Sequence, residues 1–302
     1  MTKSWWFWVP PSAVAPITAS VTGIRIWPSL AARMADEIRH HEGTRYRIAG
    51  PATGQATQGT IVFVHGVGMS LDFWAPQIDF FAPRYRCIAY DMLGHGLSAL
   101  PPEQPTLADY SNQFTRLMDH LDVPSVCLVG HSMGALITIE AGLRAPERVK
   151  RLIAMNGVYD RTVEQKAAIA ARAAALKPQT GEQDWGPTLD RWFGPEPAPD
   201  AAPKRAALDH ALRAIQPEGY ARTYRLFARS DSAHVGRLGQ LAQPALFLTG
   251  ELDPNSTPAM SQAMAQAAPY GQAVILPGER HMMSYVHPDT SNRAIADFFQ
   301  PG

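Results

Sequence analysis

Cysteine is scarce in this chain, with two among 302 residues, Cys87 and Cys127. Two thiols cannot supply the ligand set of a zinc ribbon. Both sit in apolar runs and read as buried free thiols in strands, which fits a reducing, cytoplasmic compartment. An excess of either charge is also missing. Lys+Arg is 27 and Asp+Glu is 27, a net charge of zero. That balance argues against a nucleic-acid binder or a polybasic membrane-surface protein. Glycine and proline, at 23 and 26 residues, follow no period, which excludes collagen-like and low-complexity readings. No H-E-x-x-H, P-loop or G-x-G-x-x-G run occurs, so no metal or nucleotide cofactor is expected.

Long apolar helices are lacking too. Residues 4–23 carry no charge and open on Trp5-Trp6-Phe7-Trp8-Val9, but Pro10, Pro11 and Pro16 follow at once. Those prolines break a transmembrane helix and the apolar core of a signal peptide alike, although Lys3 imitates a basic leader. No integral membrane segment is therefore expected. Residues 1–35 read as a peripheral N-terminal extension, and Met34 would serve as a natural chain start. Exposed Trp5–Trp8 would favour association into a homo-oligomer.

What is present is a globular composition, 46% hydrophobic and 18% charged. The length suffices for a full core without a disulfide or metal staple. From residue 36 the pattern is regular. Short strands are expected at 36–41 and 44–49, on either side of His41-Glu42-Gly43. An apolar strand of the kind buried on both faces is expected at 61–64, and further strands at 85–90, 125–129, 150–155, 244–249 and 272–276. Helices are expected at 73–82, 132–145 and 289–299. Another follows the capping-box pattern Thr106–Asp109, with Tyr110, Phe114, Leu117 and Leu121 as its stripe. Alternating strands and helices imply a mostly parallel eight-stranded sheet covered on both faces. Residues 158–240 interrupt the alternation with an Ala- and Arg-rich helical stretch inserted after the sixth strand. The catalytic core is then 36–157 plus 241–302.

Chemistry concentrates at Gly130-His131-Ser132-Met133-Gly134. This is a G-x-S-x-G elbow between a buried strand and a helix, which lifts a serine hydroxyl to the carboxyl edge of a sheet. The helix N-terminus favours developing negative charge there. A serine needs a base, and partners in this setting follow in the order acid, then histidine. His281, just past the last strand, is preferred to His287, which belongs to the start of a helix. Asp253, after strand 244–249, is the expected acid, with Asp160 as runner-up and Glu251 structural. The oxyanion donors should be the N–H groups of Met133 and Val67, the latter in His65-Gly66-Val67-Gly68. Asp91 in Asp91–Ser98 reads as structural, bonding backbone N–H groups. His131 reads as a buried, hydrogen-bonded ring. Trp74, Trp192, Phe193, Met282 and Met283 are expected to line an apolar pocket, with core packing the alternative for all five.

Together these motifs resemble the α/β-hydrolase family over residues 36–300. The H-G-x-G loop matches His65–Gly68, the D-x-x-G-H-G-x-S loop Asp91–Ser98, and the elbow Gly130–Gly134. The acid and terminal histidine match Asp253 and His281, 28 residues apart. The resemblance makes 158–240 a helical cap and implies an acyl-enzyme serine hydrolase that needs no cofactor. Phe73–Gln77, Leu189–Phe193 and Gly219–Ala221 look like oxoadipate enol-lactonases. Gly134–Leu136 with Asn156-Gly157 looks like the aminoacrylate hydrolase of pyrimidine degradation, which acts on a C–N bond. The expected substrate is a small carboxylic ester or lactone. Amide or carbamate hydrolysis, C–C cleavage, perhydrolase chemistry or plain ligand binding stand as alternatives. Haloalkane dehalogenases and epoxide hydrolases need an Asp where Ser132 stands. With no global field to steer an anion, any substrate carboxylate would be met by a local arginine, Arg191 or Arg280.

Overall fold

The computed structural model describes residues 35–51, 57–177 and 183–300. The extension expected at 1–35 lies outside them, except for Ala35, which opens the first strand. Eight strands form one sheet: β1 (Ala35–His41), β2 (Thr44–Gly50), β3 (Thr60–Val64), β4 (Arg86–Tyr90), β5 (Val126–His131), β6 (Val149–Met155), β7 (Ala245–Gly250) and β8 (Gly271–Leu276). Their spatial order is β1-β2-β4-β3-β5-β6-β7-β8. β1 and β2 run antiparallel to each other, and β2 runs antiparallel to β4. Every pairing from β4 across to β8 is parallel. Parallel strands need crossovers, and these are helices lying on the faces of the sheet.

The helices are α1 (Ala75–Phe81), α2 (Leu107–His120), α3 (Met133–Arg144), α4 (Val163–Ala174), α5 (Gly186–Phe193), α6 (Ala202–Arg213), α7 (Pro217–Ala228), α8 (Pro258–Ala267), α9 (Met283–Val286) and α10 (Pro288–Phe299). The helix expected over 73–82 is split. Leu71–Trp74 form a 3₁₀ turn, and Pro76 then starts α1, where a missing N–H costs nothing. At the start of α2 the Thr106 N–H donates to Asp109 Oδ2 at 2.7 Å, as its pattern predicts.

The central strands show why they read as apolar runs. Ile61, Val62, Phe63 and Val64 of β3 are fully buried, as are Phe247 and Leu248 of β7. Burying each such side chain contributes about 1.5–3 kcal/mol. α3 is buried along most of its length, because strands lie on one side of it and α2 on the other. Cys87 is buried; Cys127 is only half-buried, in β5. The four helices α4–α7 occupy the connection between β6 and β7, as the sequence pattern of 158–240 suggests. Among the described residues, no helix is long and apolar enough to cross a membrane.

Candidate active site

Ser132 caps the N-terminus of α3 directly after β5, with φ 56°. A positive φ on a non-glycine residue stores about 1–3 kcal/mol of strain, which the surrounding packing must hold. The glycines of the elbow are what permit it. A Cβ on Gly130 would lie 2.1 Å from the Gly134 carbonyl oxygen, and one on Gly134 would lie 2.1 Å from that of Val64. The Ser132 N–H donates to the Met155 carbonyl at 2.8 Å, which ties the turn to β6.

His281 follows β8, and its Nδ1–H donates to Asp253 Oδ2 at 2.7 Å. Asp253 follows β7 and is 2% exposed. Burial opposes its ionisation. The charge of His281 and hydrogen bonds from His281, Asn156 and the Asn255 N–H outweigh burial and hold the carboxyl below the usual range. Asn156 Nδ2 donates to Oδ2 at 2.8 Å, while the Asn255 and Ser256 N–H groups bond Oδ1 at 2.8 and 3.2 Å. Asn156 and Ser256 are supports that the motif reading missed. Asn156 sits at φ 50°, a conformation asparagine tolerates, at the end of β6. Asp160 stands elsewhere, exposed, with Lys166 Nζ at 3.7 Å. Glu251 accepts the Gly278 N–H at 2.9 Å and so braces the loop before His281. His287 caps α10 and bonds Glu279.

His131 points its Nε2–H at the His281 carbonyl, 2.9 Å away, and so holds the loop that carries the base. Burial pulls its pKa to about 3, so the ring stays neutral. Two further buried imidazoles fix the loop at 65–68. His65 Nδ1–H donates to the Gly66 carbonyl, and its Nε2 accepts the Met92 N–H at 3.1 Å. His95 Nε2 accepts the Gly68 N–H at 3.0 Å. Burial lowers His65 to about 4 and His95 to about 3, which keeps their acceptor nitrogens bare. A Cβ on Gly66 would lie 3.1 Å from Ser132 Cβ, so this loop runs directly beside the serine. Val67 is the next residue, and among the described residues its N–H donates to nothing. Met133 is the first residue of α3, so its N–H has no partner within the helix. Asp91 accepts the N–H groups of Leu71 and Leu97 and bonds Arg45, as the loop composition suggests.

Ser132, His281 and Val67 line one cavity of about 190 Å³. That is below the roughly 300–1,000 Å³ of drug-sized ligand sites. The inserted helices close it. α4 contributes Gln165, Ala168, Ile169 and Arg172, spaced i, i+3, i+4, i+7 on one face. α5 contributes Thr188, Arg191 and Trp192; α7 contributes Tyr220, Tyr224 and Phe227. Trp192 lies nearly parallel to the His281 ring, with centroids 6.2 Å apart.

Of the five residues expected to line an apolar pocket, only Trp192 borders the Ser132 cavity, and the other four are placed elsewhere. Trp74 is fully buried in the core, 5.1 Å from both the Phe63 and Phe73 rings, because the 3₁₀ turn directs it toward β3. Phe193 and Met282, with Met283, line a neighbouring cavity of about 220 Å³ with Arg280. Phe193 follows Trp192, and one residue along a helix turns the side chain by about 100°. Trp192 borders both cavities. Arg161, Arg172 and Tyr224 were not singled out from sequence. The signal was the i, i+3, i+4, i+7 face of α4, which reads as packing until its partner surface is known. Among the described residues, no group of three or more His, Cys, Asp or Glu side chains is arranged to hold a metal ion.

Comparison with known proteins agrees with this architecture. The family model for the alpha/beta hydrolase fold matches residues 59–288. The chain is 38% identical over 235 residues to (E)-2-((N-methylformamido)methylene)succinate hydrolase of Acinetobacter baylyi, covering 78% of this chain and 88% of that protein. It is 28% identical to 3-oxoadipate enol-lactonase 2 of the same organism, covering 80% and 89%. The crystal structure of the enol-lactonase from Burkholderia xenovorans superposes with a TM-score of 0.73 at 25% identity, covering 87% of this chain and 99% of that one. A motif-bearing sheet, a serine elbow at its carboxyl edge and a family match over most of the chain lead to one conclusion: this protein belongs to the alpha/beta hydrolase fold family.

Proposed function

We propose that this hydrolase cleaves a small carboxylic ester or lactone through a Ser132–His281–Asp253 triad and an acyl-enzyme intermediate. The observation that carries the reading is the 2.7 Å bond from His281 to buried Asp253, on a ring that lines the same cavity as the strained Ser132. With Nδ1 committed to Asp253, Nε2 is the nitrogen available as base. It takes the Ser132 proton as Oγ attacks the acyl carbon. The oxyanion rests on the Val67 and Met133 N–H groups, beside the N-terminus of α3. The imidazolium then gives its proton to the departing oxygen. Water, deprotonated by the same Nε2, attacks the acyl carbon; the bond from that carbon to Ser132 Oγ breaks, and the imidazolium gives its proton to the departing Oγ. The inserted helices act as a cap that limits the substrate to a small molecule.

A second reading, cleavage of an acyl C–N bond on the same triad, is favoured by the relative at 38% identity, whose name specifies an N-methylformamido compound. The two differ only in whether oxygen or nitrogen leaves with the proton. Replacement Ser132→Ala tests both. Turnover should fall by at least about 10³-fold in folded protein, and a fluorophosphonate probe should label wild type at Ser132 only. A variant that kept more than roughly a tenth of wild-type turnover would refute the triad, since triad losses are far larger than that. A panel of aryl esters, lactones and N-acyl enamines, ranked by kcat/KM, then decides the bond.

A further inference from the structure

The cavity beside Ser132 has an unusual charge composition. Three arginines line it, Arg161, Arg172 and Arg191, and no acidic side chain does. Arg161 is compensated. Its guanidinium lies 3.5 Å from Asp231 and stacks over Phe227 at 4.7 Å. Lys166 shares Asp231 and pairs with Asp160, so these two cations face two carboxylates and the group is neutral.

Arg172 and Arg191 differ. Among the described residues neither has a carboxylate within ion-pair distance. Both are instead aimed by neutral acceptors. Arg172 Nε–H donates to Tyr224 Oη at 3.3 Å. Arg191 donates to the Pro187 carbonyl at 2.8 Å and to Thr188 Oγ1 at 2.9 Å. Asp190, next in sequence to Arg191, is engaged by Arg205. Two oriented, half-buried guanidiniums facing one cavity without counter-charge are costly unless an anion joins them. Burial and the nearby charge of Arg172 both pull Arg191 below its ordinary value.

We propose that Arg172 and Arg191 form an anion subsite of the cap, which selects small substrates carrying two free carboxylates and holds them with the reacting acyl group at Ser132. The inference rests on the hydrolytic reading of Ser132 for its orientation, but the subsite itself is a binding claim. Guanidinium pairs also suit phosphate. A cavity this small, with Trp192, Tyr220 and Ile169 on its walls, favours a short carbon chain between the charges. Arg280, the other arginine considered from sequence, borders the neighbouring cavity instead.

The test uses the full chain carrying Ser132→Ala, so that binding is read without turnover. Calorimetric titration with succinate, acetate and inorganic phosphate should give succinate the tightest binding, by roughly tenfold or more over acetate. Adding Arg172→Gln or Arg191→Gln should weaken succinate by roughly tenfold or more. Arg191→Lys, which keeps the charge but loses the fork, should fall between. Arg225→Gln removes a cation from an exposed position on α7 and should leave succinate affinity unchanged. Thermal melting confirms that each variant is folded, and the lysine variant carries the test if a glutamine variant is not. Succinate bound no better than acetate, phosphate bound tighter than succinate, or affinity indifferent to both arginines would overturn the subsite. If Ser132→Ala alone keeps its ester turnover, the hydrolytic reading fails while this binding result stands or falls separately.

Discussion

Asp253 is a buried carboxylate held ionised by four hydrogen-bond donors, and that arrangement sets what its removal does. In Asp253→Asn the amide cannot stabilise an imidazolium, and its NH₂ group can force His281 into the wrong tautomer. Turnover of an aryl ester should drop by about 10⁴-fold in protein that still melts cooperatively, because asparagine keeps the shape and can still accept the Asn255 and Ser256 N–H bonds, although the Asn156 Nδ2 bond is lost. A loss of less than roughly tenfold would show that another group orients the base. Ser132, Asp253 and His281 were legible in the sequence because each stands in a short motif at the end of an apolar strand. Trp74 was not. A tryptophan beside a catalytic loop looks the same in sequence whether it faces the cavity or β3, and the 3₁₀ turn at Leu71–Trp74 decides the matter.

α3 carries Ser132 at one end, and a buried cluster anchors its middle. Glu140 accepts from His234 Nε2 at 3.2 Å and from Arg237 at 2.9 Å, both in the segment between α7 and β7. Those hydrogen bonds, from His234 first, hold Glu140 down at about 2 against the opposing effect of burial. Burial keeps His234 neutral, so its Nε2–H is a simple donor. Glu140→Ala strands that donor and should cost on the order of 1–3 kcal/mol. Glu140→Gln keeps an acceptor and should cost less. Because the native pKa is depressed, the charge of Glu140 stabilises the fold above the ordinary carboxylate value of 4.5, and this is lost as pH falls toward about 2. The melting gap between wild type and Glu140→Gln should therefore be widest above pH 5 and close below it. A gap independent of pH would remove the charge from the explanation. The strands could be read from sequence to within two residues at each end; in central strands such as β3 and β7, burial on both faces leaves little but apolar side chains. The faces of α4, α5 and α7 were equally periodic. Periodicity, however, tells which residues share a face and not whether that face meets a core or a substrate.

At the scale of the whole molecule, the helices inserted between β6 and β7 are tied to the C-terminal part of the chain through His287. His287, at the start of α10, places Nδ1 2.9 Å from Glu279, in the loop after β8, and Nε2 3.3 Å from Asp200, between α5 and α6 of the insert. One imidazole thus bridges the loop after β8 and the connection between α5 and α6. Lys204 of α6 also donates to the Val286 carbonyl beside it. A neutral ring carries one N–H and can donate to only one of the two carboxylates; the imidazolium donates to both. The Glu279 bond, with help from Asp200, raises the His287 pKa above its ordinary value despite partial burial. A raised pKa means that the bridge stabilises the folded insert fully below the ordinary histidine value of 6.5, and that this stabilisation is lost as pH climbs through the higher native value. The ring is 43% exposed, so solvent and salt screen the effect. The readout should accordingly be local rather than global. Amide exchange in 194–213 should quicken between pH 6 and pH 9 beyond its intrinsic base dependence, while α3 stays protected. His287→Gln, which cannot gain a proton, should exchange in 194–213 at the faster rate throughout, and added salt should narrow its difference from wild type at pH 6. Equal protection of this segment in the two proteins at pH 6 would mean that packing alone, through Trp192 and Met282, holds the inserted helices in place.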